Sequence, residues 1–140
     1  MTETIPLDKI LPQKYPFQLL DRVIEFKPNE SLTVLKNITA NEWIFESSSY
    51  PVDVFPETLI IEAAAQAVLV FYRLNQGANE PDPTIALGKV KVEFFERVNL
   101  GDQLQLTVSN FKAMGKSGFA NVKAQTTKPV ADIDIFASIQ

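Results

Sequence analysis

The sequence predicts an α+β fold in which a curled antiparallel sheet wraps around one long helix. Two observations carry this prediction. Several short segments alternate or are rich in β-favouring residues, whereas one long segment, residues 57–76, is apolar almost all round. Such a helix must be buried on most sides, and a sheet curled around it meets that need. Because 140 residues contain no linker or repeat, we expect one domain, residues 1–140.

The predicted strands are short and separated by turn residues. Leu32, Val34 and Lys36 fall on one face of the second strand. The predicted strands are residues 17–26, 31–38, 84–95, 103–111, 119–126 and 131–139. The turns are residues 28–30, 99–102 and 115–118, which contain proline, glycine or asparagine. Short strands joined in this way favour a mostly antiparallel sheet.

The predicted helix begins after Pro56 and ends before Gly77. Glu62 and Gln66 interrupt its apolar surface and lie one helical turn apart. A carboxylate in such a helix costs free energy to bury unless it is paired, hydrogen-bonded or protonated. We therefore expect Glu62 to be buried and to have either a chemical role or a structural hydrogen bond to Gln66.

The composition excludes several classes of function. The chain has no histidine and no cysteine, so it lacks disulfides, thiolate nucleophiles and the usual zinc ligands. No metal and no cofactor is predicted. A net charge of -4 argues against nucleic-acid binding, which requires a concentrated basic surface.

No membrane segment is predicted. The longest apolar stretch, residues 59–71, contains Glu62 and Gln66 and is shorter than the roughly 20 residues that span a bilayer. Residues 1–11 contain acidic residues and a proline and lack the basic start and apolar run of a secretory signal. We expect a cytoplasmic protein.

One segment carries a specific resemblance. Residues 45–66, FESSSYPVDVFPETLIIEAAAQ, resemble the active-site segment of bacterial 3-hydroxyacyl-acyl-carrier-protein dehydratases, which reads approximately F-Q-G-H-F-P-G-x-P-h-h-P-G-V-L-h-h-E-A-h-A-Q, with h apolar. The positions that match without a gap are Phe45, Phe55, Pro56, Leu59, Glu62, Ala63, Ala65 and Gln66.

The family's histidine falls on Ser48, and a glycine of the family falls on Glu57. The acid of the family is therefore kept as Glu62, whereas the base is absent. A serine hydroxyl is far too weak a base near neutral pH, and no imidazole in the chain could activate it. The run Ser47-Ser48-Ser49 is accordingly interpreted as a polar loop.

Further segments extend the resemblance to about residues 10–125. Residues 11–17, LPQKYPF, resemble the family's L-P-H-R-[YF]-P-F, with Gln13 where a histidine is usual. Residues 20–23, LDRV, resemble its V-D-R-V strand, and residues 36–42, KNITANE, resemble its K-N-V-[ST]-x-N-E stretch. Residues 101–104, GDQL, resemble its P-G-D-Q-L turn without the proline.

The resemblance implies the hot-dog fold, thioesters of acyl carrier protein or coenzyme A as ligands, and an active site shared between two subunits. In the family the histidine removes the α-proton and the carboxylic acid protonates the departing 3-hydroxyl. Carried over, Glu62 is the acid and Ser48 marks the missing base. The remaining positions implied to contact substrate are Phe45, Phe55, Pro56 and Gln66.

Glu57 has two interpretations. It complements the helix dipole as a first-turn carboxylate, or it narrows the site or substitutes for the base. Asp53 and Glu46 are weaker candidates on the same loop. Lysines on later strands, such as Lys89 and Lys91, could form a basic rim for an acidic carrier protein, although ordinary solvated strand faces explain them as well.

Three hypotheses about function follow. The first is a dehydratase-like subunit, acting in fatty-acid or polyketide-type synthesis, that completes a site with a histidine-bearing hot-dog partner, because a homodimer would have no complete acid–base pair. The second is a hot-dog thioesterase that uses a helix carboxylate, Glu62 or Glu57, as base or nucleophile. The third is an acyl-binding homodimer without activity. We expect at least a dimer.

Overall fold

The computed structural model describes residues 5–14, 17–39, 54–76 and 85–139. Ser48, Phe45, Asp53 and Glu46, which the sequence singles out, lie outside these ranges. The helices are α1 (Leu7–Ile10) and α2 (Glu57–Asn75). The strands are β1 (Arg22–Lys27), β2 (Ser31–Asn37), β3 (Ile85–Phe94), β4 (Gln103–Met114), β5 (Ser117–Gln125) and β6 (Pro129–Ile139).

Within the described ranges the strands form one six-stranded sheet in the order β1-β2-β4-β5-β6-β3. Each neighbouring pair is antiparallel, as the sequence predicted. The order places β3 at one edge of the sheet and β1 at the other, although β3 is the next strand after α2 in the chain. Edge strands carry unpaired backbone groups and are open to pairing with another chain.

Helix α2 lies in the curve of the sheet, which confirms the predicted arrangement. Pro56, with φ -61° and ψ 138°, precedes the first helical residue, and the chain leaves the helix at Gln76 in an extended conformation. Small side chains, Ala63, Ala64 and Ala67, are fully buried and let the helix approach the sheet closely. The sheet residues buried with them include Leu32, Val34, Leu104, Leu106, Val122 and Ile133.

The first predicted strand was wrong at its beginning. Strand β1 starts at Arg22, not at residue 17, because the backbone between residues 17 and 19 bonds a side chain of the helix and not a neighbouring strand. The predicted turns at 28–30 and 99–102 are confirmed by the bonds from the Glu30 amide to the Lys27 carbonyl and from the Asp102 amide to the Asn99 carbonyl. The last predicted turn is tighter than expected, because β5 begins at Ser117.

Helix α2 is not covered on every side. The face that carries Ile60, Ala63 and Phe71 is buried, whereas Glu62 is exposed in the single chain. The expectation that Glu62 is buried was therefore wrong for the single chain. The reason is geometric: α2 packs mainly over β2 and β4 and leaves the part of the sheet near β3 less covered.

Neither described helix has the length and apolar character that a membrane-spanning segment requires.

Candidate functional site

Gln66 organises the surroundings of Glu62. Its side chain is only 1% exposed, so each of its polar atoms needs a partner. The Leu19 amide donates to Gln66 Oε1 at 3.0 Å, and Gln66 Nε2 donates to the Phe17 carbonyl at 2.8 Å. The orientation of the amide is thereby fixed, since a flipped group would place acceptor against acceptor and donor against donor.

The second N–H of Gln66 reaches Glu62. Gln66 Nε2 donates to Glu62 Oε1 at 3.2 Å, one helical turn away. This contact is the one that the structural interpretation of Glu62 anticipated. Among the described residues no hydrogen bond to the other carboxylate oxygen, Oε2, is formed. Within the described ranges, the carboxylate is therefore held through Oε1.

A cavity of about 160 Å³ lies beside this carboxylate. Its polar lining consists of Gln13, Glu62 and Gln66, which come from two distant parts of the chain. The rest of its lining is apolar and comes from α2, β3 and β6: Ala65, Val68, Leu69, Ile85, Leu87, Ile135 and Ala137. Such a cavity can hold an apolar chain next to one acid group.

Gln13 also lines this cavity. In the sequence, the only indication of its place here was the glutamine where the family usually has a histidine. The family resemblance placed a histidine at that position, and this deviation could have drawn attention to it. Gln13 Oε1 is buried and has no hydrogen-bond partner among the described residues. A buried acceptor without a donor costs about 1–3 kcal/mol. Any donor that entered the cavity would remove this cost.

Glu57 lies in a different place. It is exposed in the first turn of α2 and lines a cleft of about 660 Å³ together with Phe55, Phe94 and Arg97. The Glu62 cavity and this cleft have no lining residue in common within the described ranges. A carboxylate in the first turn stabilises the helix through its dipole.

Phe55 and Pro56 position the start of α2. Phe55 is 1% exposed, and its amide donates to the Val98 carbonyl at 2.7 Å. Pro56 lies immediately before the helix, where its fixed φ suits the change of direction. Phe55 lines the larger cleft, and neither of the two residues lines the cavity of Glu62.

The described lining of the cavity offers one acid–base group, Glu62. Within the described part of the chain, no group of three or more acidic side chains is arranged to hold a metal ion. A carboxyl group beside an apolar cavity can donate or accept one proton. In the whole sequence no imidazole is present to act as its counterpart.

Comparison with known proteins gives the following matches. The model of the FabA-like domain family matches residues 11–135. The 3-hydroxyacyl-acyl-carrier-protein dehydratase FabZ of Anaeromyxobacter sp. (strain K) is 34% identical over 143 residues, which cover 98% of this chain and 90% of that protein.

Solved structures also resemble the chain. A chain of the dehydratase heterocomplex ApeI:P from Xenorhabdus doucetiae aligns with a TM-score of 0.79 and 17% identity over 97% of this chain and 91% of that one. A mutant of a thioesterase from Pseudomonas aeruginosa aligns with a TM-score of 0.65 and 11% identity, over 84% and 79% of the two chains. At these identities the likeness shows the hot-dog fold and nothing more.

Proposed function

The chain belongs to the FabA-like family together with the FabZ dehydratases, and from this premise we propose that it is a dehydratase subunit that supplies an acid but no base. Its substrates are 3-hydroxyacyl or enoyl thioesters of acyl carrier protein, in fatty-acid or polyketide-type synthesis in the cytoplasm. The base comes from a second hot-dog subunit that carries a histidine. Glu62 is the residue of this chain that protonates the leaving hydroxyl.

The observation that carries the proposal is the state of Glu62 in one protomer. The carboxylate is exposed, it is oriented through Oε1 by Gln66, and it lies at an apolar cavity. A general acid needs an oxygen that can reach the reacting group, and Oε2 is that oxygen. Because the sequence contains no histidine, the proposal takes the matching base from another chain.

Three features support a second subunit over this site. Leu87, which lines the Glu62 cavity, is 50% exposed in the single chain. Gln13 Oε1 is buried and unpaired among the described residues. The cavity is also lined by β3, which is an edge strand of the described sheet. A partner that paired with β3 would cover Leu87 and could offer a donor to Gln13.

ApeI:P is a dehydratase heterocomplex, and the fold of one of its chains is similar to this chain over 97% of its length. This likeness supports the assembly of two different hot-dog chains as a workable arrangement. Loss of one well-placed general base lowers a rate by about 10²- to 10⁴-fold. A homodimer of this chain would carry that loss in both of its sites.

The test is hydration of an enoyl-acyl-carrier-protein, the reverse reaction, by the purified chain alone and after co-expression with a histidine-bearing dehydratase from the same genome. We expect no turnover by the chain alone, co-purification of the two chains, and turnover by the complex. Full turnover by the chain alone, or failure to bind any such partner, would contradict the proposal.

An acyl thioesterase is the second candidate, because a helix carboxylate beside an apolar cavity also suits thioester hydrolysis. Release of free thiol from acyl-carrier-protein by the chain alone, abolished by Glu62→Gln, would support it. Acyl binding without either reaction would support the third hypothesis, an acyl-binding scaffold.

A further inference from the structure

A second, smaller cavity adjoins the Glu62 cavity. It has a volume of about 10 Å³ and is lined by Tyr72, Phe111 and residues of β5 and β6, among others. The two cavities share four lining residues, Val68, Ile85, Ile135 and Ala137, and together they are called the passage below. Apart from the polar groups at Glu62, the passage is lined almost entirely by apolar side chains, which fits a hydrocarbon chain.

The helix gives the passage its direction and its length. Glu62, Ala65, Val68 and Tyr72 are spaced by three or four residues and follow one stripe of α2. The ten residue-to-residue steps from Glu62 to Tyr72 span about 15 Å of helix. A hydrocarbon chain attached to a thioester at Glu62 would run along this stripe toward Tyr72.

Phe111 closes the far end of the passage. The ring of Phe111 packs against Tyr72 with centroids 5.8 Å apart and against Phe71 at 5.7 Å. A separate pocket of about 300 Å³ lies behind this contact, and Phe71, Tyr72 and Phe111 line it together with Asn29, Asn75 and Gln76. Tyr72 and Phe111 therefore separate the inner cavity from the outer pocket.

A β-bulge places Phe111 at this position. In β4, Leu104, Leu106 and Val108 are buried at every second residue, so the next inward residue of a regular strand would be Asn110. The register with β5 shifts between Ser109 and Lys112, and Asn110 has φ 54°. One extra residue in a strand reverses the alternation, so the inward position passes from Asn110 to Phe111.

We propose that Phe111, held inward by this bulge, sets the longest acyl chain that the composite site accepts, and that the preferred substrates are short- to medium-chain thioesters. The inference rests on the proposed function, because it assigns the acyl channel of the complex to this subunit. The inner cavity is at the lower limit for holding a single water molecule. A longer chain must displace the Phe111 ring to pass.

The experiment measures enoyl hydration by the complex with its histidine-bearing partner, on acyl-carrier-protein substrates from butenoyl to tetradecenoyl. Phe111→Ala joins the inner cavity to the outer pocket, and each additional buried methylene then contributes about a fourfold gain in kcat/KM. Phe111→Leu is the milder variant in case alanine prevents folding. Ala137→Leu fills the passage where the two cavities meet and should shorten the accepted chain.

Phe26→Ala is the matched control. Phe26 packs against Phe71, with ring centroids 6.1 Å apart, and lines neither cavity of the passage. We expect the chain-length limit to lengthen in Phe111→Ala, to shorten in Ala137→Leu and to stay unchanged in Phe26→Ala. A complex that is active with the same limit in all variants would overturn the inference and leave the proposed function intact.

If the complex shows no turnover, the proposed function fails, and the channel is tested separately on the full chain alone. The probes are then non-hydrolysable 3-hydroxyalkyl thioethers of pantetheine with the same range of chain lengths. Their binding to the chain is measured by calorimetry. If the longest chain that binds becomes longer in Phe111→Ala, the result supports the proposed channel, although the proposed activity has failed. A limit that does not move, or no binding of any probe, overturns the inference.

Discussion

Two side-chain amides in the described part of the chain are buried, and they hold carboxylates in different ways. Gln66, on the helix, is 1% exposed, and both polar atoms of its side chain form hydrogen bonds. Its partners are Leu19, Phe17 and Glu62. Asn121, on β5, is 9% exposed and its Nδ2 donates to Asp132 at 2.6 Å and to Asp134 at 2.9 Å.

The difference lies in what surrounds each carboxylate. Asp132 accepts from Asn121 and also from Lys123 at 3.2 Å, so both of its oxygens are engaged within the sheet. Glu62 accepts from Gln66 alone among the described residues, and its second oxygen is available at a cavity. The same amide–carboxylate pair thus closes a structural contact in one region, whereas in the other the proposed function makes it orient a group for another molecule.

The largest expected effect is on activity. Glu62→Gln keeps an oxygen that can accept from Gln66 but removes the acid, so hydration by the partner complex should fall by about 10²- to 10⁴-fold. The matched control is Asp134→Asn, the same chemical change at a partner of Asn121, which should leave kcat within a factor of about two because only the acid takes part in proton transfer. Equal losses in both variants would mean that the two regions do not differ in role.

The next effect is on stability. Gln66→Leu fits an apolar side chain into the same space and leaves the Leu19 amide and the Phe17 carbonyl without their partner. The Leu19 amide is buried, and a buried unpaired donor costs about 1–3 kcal/mol, whereas Phe17 is 64% exposed and its carbonyl can regain water. The free energy of unfolding should therefore fall by about 1–3 kcal/mol. Urea unfolding followed by circular dichroism measures it. A loss below that of one hydrogen bond would show that Gln66 is not the anchor of this segment.

A smaller effect is expected at Asn121. Asn121→Leu removes two hydrogen bonds to carboxylates that can regain water, because the Asp132 side chain is 41% exposed. The free energy of unfolding should fall by about 0.5–1.5 kcal/mol in the same urea experiment, less than for Gln66→Leu. A larger loss for Asn121→Leu than for Gln66→Leu would contradict this difference between the two regions.

The smallest effect depends on pH. The hydrogen bond from Asn121 lowers the pKa of Asp132 below 3.8, partial burial opposes this, and the hydrogen bond and charge of Lys123 assist it. Because the folded pKa is the lower one, this contribution to stability is present above the unfolded pKa and is lost as pH falls through the folded value. Asp132→Asn should therefore lose up to about 1 kcal/mol at neutral pH, and the difference should shrink in acid. A difference that is independent of pH would contradict this account.

Much of the fold follows from local patterns. The helix was predicted within one residue of its observed bounds, because Pro56, the apolar run and Gly77 mark it in the sequence. Strand β2 and its buried face, with Leu32, Val34 and Lys36, were likewise predicted from alternation. Helix α1 was not predicted, since a single turn has too few residues to show a period.

The site was harder to predict because it depends on contacts between distant parts of the chain. The sequence pairs Glu62 with Gln66, which are one turn apart, but it does not reveal that Gln66 binds the backbone of residues 17–19. The exposure of Glu62 depends on which part of the sheet the helix leaves uncovered. The bulge at Asn110 depends on the register with β5, which alternation within β4 cannot reveal.

The most direct test of the central claim inactivates the partner's own acid. The complex is prepared with a histidine-bearing partner whose catalytic carboxylic acid is changed to the amide, and enoyl-acyl-carrier-protein hydration is measured with Glu62 present and with Glu62→Gln. The account predicts turnover in the first complex and none in the second, because the partner's histidine works with Glu62 of this chain. The account would be contradicted if the complex with Glu62 and the acid-deficient partner showed no turnover, while a complex of Glu62→Gln with the unaltered partner was active.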